Sequence, residues 1–162
     1  MINEPQARLQ EITTKLRNQG HRMTPQRMAV IKTLVSSEGH LNAEQVYDRV
    51  KVDFPMTSLA TIYKTITMLK EMGELIELSF PNSGSHYDCL NPFPHSHHIC
   101  TKCGDITDVD VSDLADLPQQ FATRTGYKVT SHRLDFFGVC PQCQLNEEQS
   151  TVPEGGGKEK VG

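Results

Sequence analysis

Two pairs of cysteines, Cys100-x-x-Cys103 and Cys140-x-x-Cys143, constrain this chain more than any other feature. Two such knuckles supply the four thiolates of a tetrahedral zinc site, a soft donor set that disfavours hard cations. A fold that uses them must bring residues 100 and 140 together, although 36 residues separate the pairs. A four-thiolate site has no open position for substrate, so its expected role is folding rather than catalysis. Two other readings stay open on the residues alone: a redox pair, which needs only one knuckle, and four unliganded thiols. No catalytic base stands near either knuckle. The N-terminus, "MINEPQARLQEI", lacks the apolar core of a secretory signal, and no apolar run reaches the roughly 18 residues that span a bilayer. A cytoplasmic chain with no membrane partner is expected, and in that reducing setting paired cysteines favour metal over disulfide.

Around the first knuckle, "HSHHICTKCG" puts three histidines and two cysteines within nine positions. His95 and His97 alternate, so on an extended strand they share a face, and His98 takes the other. Asp88 lies seven residues before His95, and Asp108 five residues after Cys103. Imidazole with carboxylate suits Fe²⁺, Mn²⁺, Zn²⁺ or Ni²⁺. Spacing alone leaves open whether this is a second metal site or a cluster of polar surface residues.

The first half reads as helices. "PQARLQEITTKLRN" (5–18) spaces Leu9, Ile12 and Leu16 helically. Thr24-Pro25 opens a helix with Met28, Ile31, Leu34 and Val35 on one face. Asn42 and Gln45 form a capping-box pattern before "AEQVYDRV". Ser58 opens "LATIYKTITMLKEMG", whose stripe is Leu59, Ile62, Ile66 and Leu69. "ELIELSF", the turn "PNSG" and "SHYDCL" read as a hairpin. Helices followed by a hairpin are the order of a winged helix-turn-helix. After "NPFP", a hinge, come the β-like pieces "HHIC", "ITDVDV" and "YKVTSHRLDFFGVC", with "VSDLADLPQQFATRTG" as a helix between them. The expected fold is α+β: a winged-helix DNA-binding domain over 1–88, a hinge over 89–94, an α/β dimerisation domain over 95–145, and a disordered polar tail over 146–162.

The fourth helix would enter a major groove by its N-terminal half. Ser58, Thr61, Tyr63 and Lys64 lie off its apolar stripe, with Tyr63 suited to a thymine methyl and Lys64 to a phosphate or guanine edge. Arg22 and Arg27 flank the turn into helix two, and Arg27 suits a phosphate or an internal acidic partner. Net charge argues against purely electrostatic binding: residues 1–80 hold 10 Lys and Arg against 9 Asp and Glu, and residues 81–162 hold 6 against 11. Specific contacts must therefore carry any DNA affinity.

Together "GHRMTPQR", "GHLNAEQVYDRV", "SLATIYKTITMLKEMG", "HSHHICTKCGDITD" and "SHRLDFFGVCPQC" resemble the ferric uptake regulator family of bacterial metal-dependent repressors, over about residues 8–145. The resemblance implies a homodimer that binds an inverted-repeat, A·T-rich double-stranded operator, and a regulator rather than an enzyme. It implies structural Zn²⁺ on Cys100, Cys103, Cys140 and Cys143. It implies a regulatory Fe²⁺ or Mn²⁺, or Zn²⁺, on His40, Asp88, His95, His97 and Asp108, which gives His40 a role that spacing does not. The position of Arg22 reaches a minor groove in the family. Asp at both acidic positions resembles the peroxide-sensing branch, in which bound iron drives oxidation of a ligand histidine. The spacing of Asp88 and His95 is instead that of the iron-sensing branch. Cys89 stands where zinc-sensing members often carry a ligand. A further metal site of some members is not supported, because Pro94 and Ser96 flank His95 and only His132 remains; His132 is expected to be structural.

Overall fold

A computed structural model describes residues 4–80 and 84–150, with side chains to residue 147. Four helices open the chain: α1 (Pro5–Asn18), α2 (Pro25–Ser36), α3 (Ala43–Asp53) and α4 (Leu59–Glu71). Their starts follow from capping chemistry. Thr24 accepts from the Arg27 N–H, Asn42 and Gln45 close a reciprocal box, and Ser58 accepts from the Thr61 N–H. Gly73 ends α4 at φ 71°, a conformation other residues rarely adopt. Strands β1 (Ile76–Phe80) and β2 (Gly84–Asp88) then pair antiparallel, from Ile76 opposite Asp88 to Phe80 opposite Gly84. Most of the expected turn, residues 81–83, lies outside the described residues. Leu41 adds a single bridge to Tyr87 of β2, so the α2–α3 connection is stitched to the hairpin. The apolar stripes of all four helices, with Leu75, Tyr87 and Cys89, make one core. Each fully buried aliphatic side chain there contributes about 1.5–3 kcal/mol relative to exposure.

A buried ion pair lies against this core. Arg8 of α1 is buried, its guanidinium bonded to Glu74 and its Nε donating to the Cys89 carbonyl at 2.9 Å. It ties α1 to the end of α4 and to the start of the hinge.

A second sheet has the order β4-β3-β5. Strand β3 (Ser96–Cys100) pairs antiparallel with β4 (Ile106–Val109) and parallel with β5 (Asp135–Gly138). A small cluster of Leu78 and Phe80 from β1 with Ile99 and Ile106 packs the two sheets together. Helix α5 (Leu117–Thr125) has no buried residue. Leu114, Leu117, Phe121, Tyr127, Phe136 and Phe137 are all exposed, large apolar side chains left bare within one chain.

Three expectations for this half need correction. The segment 111–126 is not one helix: a 3₁₀ turn (Ser112–Leu114) precedes α5, because Pro118 has no N–H and fits only a first helical turn. Of 127–140 only Asp135–Gly138 is strand; within one chain no ladder pairs with residues 127–134. Helix α6 (Pro141–Ser150) continues through residues 146–150, which were expected in the tail. An ion pair between Lys102 and Glu147 fastens this extension to the first cysteine knuckle. Residues 151–162, the rest of the expected tail, lie outside the described residues. Among the described residues no helix is long and apolar enough to cross a membrane.

Candidate metal centres

The parallel register that sets Cys100 beside Gly138 brings the two knuckles together at the end of β3 and the start of α6. One sulfur from each of Cys100, Cys103, Cys140 and Cys143 lies within 4.8 Å of the others, and all are free thiols. Cys103 Sγ and Cys140 Sγ are 3.8 Å apart. A tetrahedron with Zn–S bonds of about 2.3 Å has edges of about 3.8 Å, so this spacing fits zinc. Backbone N–H groups of Cys103 and Cys140 point at Cys100 Sγ, the latter at 3.3 Å, and hold that thiol down to about 6. At Cys143 the neighbouring Cys140 sulfur, then burial, push the thiol up to about 12. The knuckle thus favours the thiolate at one corner before any ion is added.

The second centre gathers side chains from three places. His40 ends the α2–α3 connection, just before the Leu41 bridge. His95 immediately precedes β3 and His97 is on it, with Asp108 directly opposite His97 on β4. One donor atom from each of these four lies within 4.8 Å of the others. Asp108 Oδ1 is 2.9 Å from His40 Nε2, 3.0 Å from His95 Nε2 and 4.0 Å from His97 Nε2. Asp88, at the end of β2, adjoins the group through Oδ2, 3.3 Å from His95 Nε2.

Two of the three imidazoles are oriented from behind. His95 Nδ1 donates to the Phe93 carbonyl at 2.7 Å, and His97 Nδ1 to Asp135 at 3.2 Å. Both rings therefore present Nε2 to the centre, the arrangement that metal-bound histidines adopt. Two buried atoms aimed at this point, His97 Nε2 and Asp88 Oδ2, have no hydrogen-bond partner. Buried polar atoms are rarely left so, and a cation between them would satisfy both. Hydrogen bonds from His40 and His95 hold the Asp108 carboxyl well below the usual carboxylate range. Burial pushes His95 down, but its bonds to Asp108 and the Phe93 carbonyl outweigh that and raise it. Burial, then the neighbouring His95, lowers His97. The donor set, three imidazoles and two carboxylates, fits a borderline divalent cation. A cleft of about 330 Å³ lined by Leu34, Gly39, His40, Asp88, Asn91 and Asp108 opens on it.

Other residues singled out in the sequence are placed as follows. Cys89 is fully buried in the helical core, and burial pushes its thiol up to about 12. Among the described residues it joins neither group of clustered donors. His132 is exposed within one chain. On α4, Ser58 and Thr61 are tied to each other through the helix cap, Oγ to Oγ1 at 3.1 Å. Tyr63 is 43% exposed and Lys64 is exposed, so Tyr63 is not a core residue. Arg22 is exposed, and the Arg27 guanidinium donates to the Arg22 carbonyl rather than to an acid. Three supporting residues escaped sequence reasoning: Asp135 and Phe93 behind the histidines, and Asn91 beside both carboxylates. Only the place of Asn91 and Phe93 in "NPFP" gave any signal.

The family model for the ferric uptake regulator family matches residues 18–137. The peroxide-responsive repressor PerR of Staphylococcus aureus (strain USA300) is 38% identical over 136 residues, 84% of this chain and 91% of that protein. The peroxide stress regulator of Campylobacter jejuni superposes with a TM-score of 0.60 at 30% identity, covering 83% of this chain and 98% of that one. The ferric uptake regulator Fur of Helicobacter pylori shares the fold with a TM-score of 0.75 at 22% identity, covering 88% and 95%.

Proposed function

The chain belongs to the ferric uptake regulator family, and from that premise we propose that it is a cytoplasmic, metal-dependent transcriptional repressor that senses peroxide. The observation that carries this reading is the meeting of His40 with His95, His97 and Asp108 within 4.8 Å. His40 is attached to the helical half and the others to the second sheet, so one cation bound by all of them favours a single angle between the halves. Such an ion shifts the population toward that angle by its differential affinity, and the angle decides whether two α4 helices match an operator. Cys100, Cys103, Cys140 and Cys143 would hold a structural Zn²⁺. His40, Asp88, His95, His97 and Asp108 would hold the regulatory Fe²⁺ or Mn²⁺.

The chemistry that bound Fe²⁺ supplies is activation of peroxide. There the imidazole of His40 or His95 would take one peroxide oxygen at a ring C–H, the other oxygen leaving as water. An oxidised ring is a poorer donor, so the halves lose their common ligand and the operator is released. With five protein donors, the centre serves regulation rather than turnover.

The bare apolar surface of Leu117, Phe121 and Tyr127, with Phe136 and Phe137 exposed on β5, supports a homodimer, since a second copy would cover such surface symmetrically. Such a dimer would present two α4 helices to an inverted-repeat, A·T-rich operator, with Tyr63 and Lys64 at base edges and phosphates, Ser58 and Thr61 at the helix start, and Arg22 and Arg27 at the flank.

The test uses zinc-containing dimer loaded anaerobically with Fe²⁺, bound to operator and given equimolar peroxide. The tryptic peptide "TLVSSEGHLNAEQVYDR" contains His40 and no Met, Cys or Trp. One added oxygen on it, with release of DNA, is the expected result. An unmodified peptide with DNA still held would replace this reading by an iron-responsive one.

A further inference from the structure

Both carboxylates of the second centre are held by one oxygen, and the same hinge residue takes part in holding each. Asn91 is buried, 5% exposed. Its backbone N–H donates to Asp88 Oδ1 at 3.0 Å, beside that of Leu90 at 2.9 Å. Its side-chain Nδ2 donates to Asp108 Oδ2 at 3.3 Å. The oxygens left over are those that face the imidazoles. Asp88 Oδ2 is 3.3 Å from His95 Nε2, and Asp108 Oδ1 is 2.9 Å from His40 Nε2 and 3.0 Å from His95 Nε2.

We infer that Asn91 is a positioning residue that makes Asp88 and Asp108 one-oxygen donors, holding the regulatory cation to three imidazole nitrogens and two carboxylate oxygens. The inference rests on the metal-sensing reading above and deepens it. A carboxylate with both oxygens available binds a cation through one or two of them. An N–H bond on the second oxygen must break before that oxygen can turn inward. For Asp108 the constraint matters most, because its side chain is 42% exposed and not fixed by packing. The amide itself supports a functional origin. Asn91 Oδ1 is buried with no hydrogen-bond partner, an arrangement that costs stability and that an apolar residue would avoid.

The test reads coordination directly. The zinc-containing dimer is loaded with Co²⁺ at the second centre and its visible d–d bands are recorded, then Co²⁺ and Mn²⁺ affinities are measured by competition. The native chain should give the moderately intense bands of a five-coordinate ion. Asn91→Leu keeps the backbone N–H and roughly the volume but removes the donor. It should weaken the bands toward six-coordination and reduce both affinities roughly 10–100-fold, the usual effect of losing a partner behind a ligand. Asn91→Ser, which keeps a short donor, should lie between, and unchanged zinc content shows that the fold is intact. A six-coordinate native spectrum, or native-like bands and affinities in both variants, overturns the role of Asn91 and leaves metal sensing standing. A native chain whose Co²⁺ binding is indifferent to His95→Ala overturns both.

Discussion

Replacing Arg8 by Met should cost this protein about 3–4 kcal/mol. The figure follows from what the guanidinium leaves behind. Arg8 Nη1 is 2.8 Å from Glu74 Oε2, Nη2 donates to the Glu74 carbonyl at 3.1 Å, and Nε donates to the Cys89 carbonyl at 2.9 Å. Breaking a buried pair by removing one partner typically costs about 3–5 kcal/mol, because the other charge stays buried. Glu74 is 8% exposed but keeps Lys15 at 2.9 Å, which pulls the estimate to the lower part of that range. The Glu11 contact adds little, since Glu11 is half exposed. Met restores some apolar volume without a donor, so the two carbonyls stay unsatisfied. Urea denaturation at fixed dimer concentration reads the loss as a midpoint lower by roughly 1–3 M. The double variant Arg8→Met with Glu74→Leu removes the stranded charge and should recover at least half of the loss. A single-variant loss under about 1 kcal/mol, or a double variant no better than the single, would refute the reasoning. Because the bond to Cys89 anchors the hinge, Arg8→Met should also weaken operator binding under conditions where it remains folded.

Cys100→Ser should remove zinc and leave monomeric or insoluble protein; a zinc-free variant that sediments as a dimer would contradict the structural assignment. Lys64→Ala should weaken operator binding and lower the slope of log affinity against log salt by about 1, and an unchanged slope removes Lys64 from the phosphate contacts. Burial holds the His86 imidazole below its usual value of 6.5. The folded chain therefore resists a proton that the unfolded chain accepts. Its contribution to stability is present above about pH 6.5 and is lost as the pH falls through the folded value. His86→Phe should flatten the acid side of the stability profile, read as urea midpoints between about pH 7.5 and pH 5; an unchanged slope would show that other groups set it.

The helical half was legible because its signals are local. Thr24, Asn42 and Ser58 cap the helices that follow them in both sequence and structure, and Ile12, Leu16, Ile31, Ile62 and Leu69 are buried where the period places them. The four cysteines were legible for the same reason: their spacing is the chemistry. What was not legible depends on residues distant in sequence. His40 joins Asp108 across 68 positions, and no pattern around His40 announces it. Asn91 and Asp135 act behind ligands and carry no spacing of their own. Arg8 reads as an exposed helical charge until its partner 66 residues away is known. Residues 127–134 alternate like a strand yet pair with nothing in one chain, which sequence periodicity cannot anticipate.

Strand β3 has the two centres at its two ends. His97 and Cys100 are three residues apart, about 10 Å along the strand. The partner strand β5 supplies something to each: Asp135 stands opposite His97 and bonds its Nδ1, while Gly138 stands opposite Cys100 just ahead of the second knuckle. A slip of one residue between these strands would turn His98 inward and swing Asp135 away from His97. The sulfur cluster is therefore the pin that sets the register of the sensing end. If the four thiolates hold Zn²⁺ as proposed, removing that ion should loosen the register behind His97 as well as the knuckles themselves.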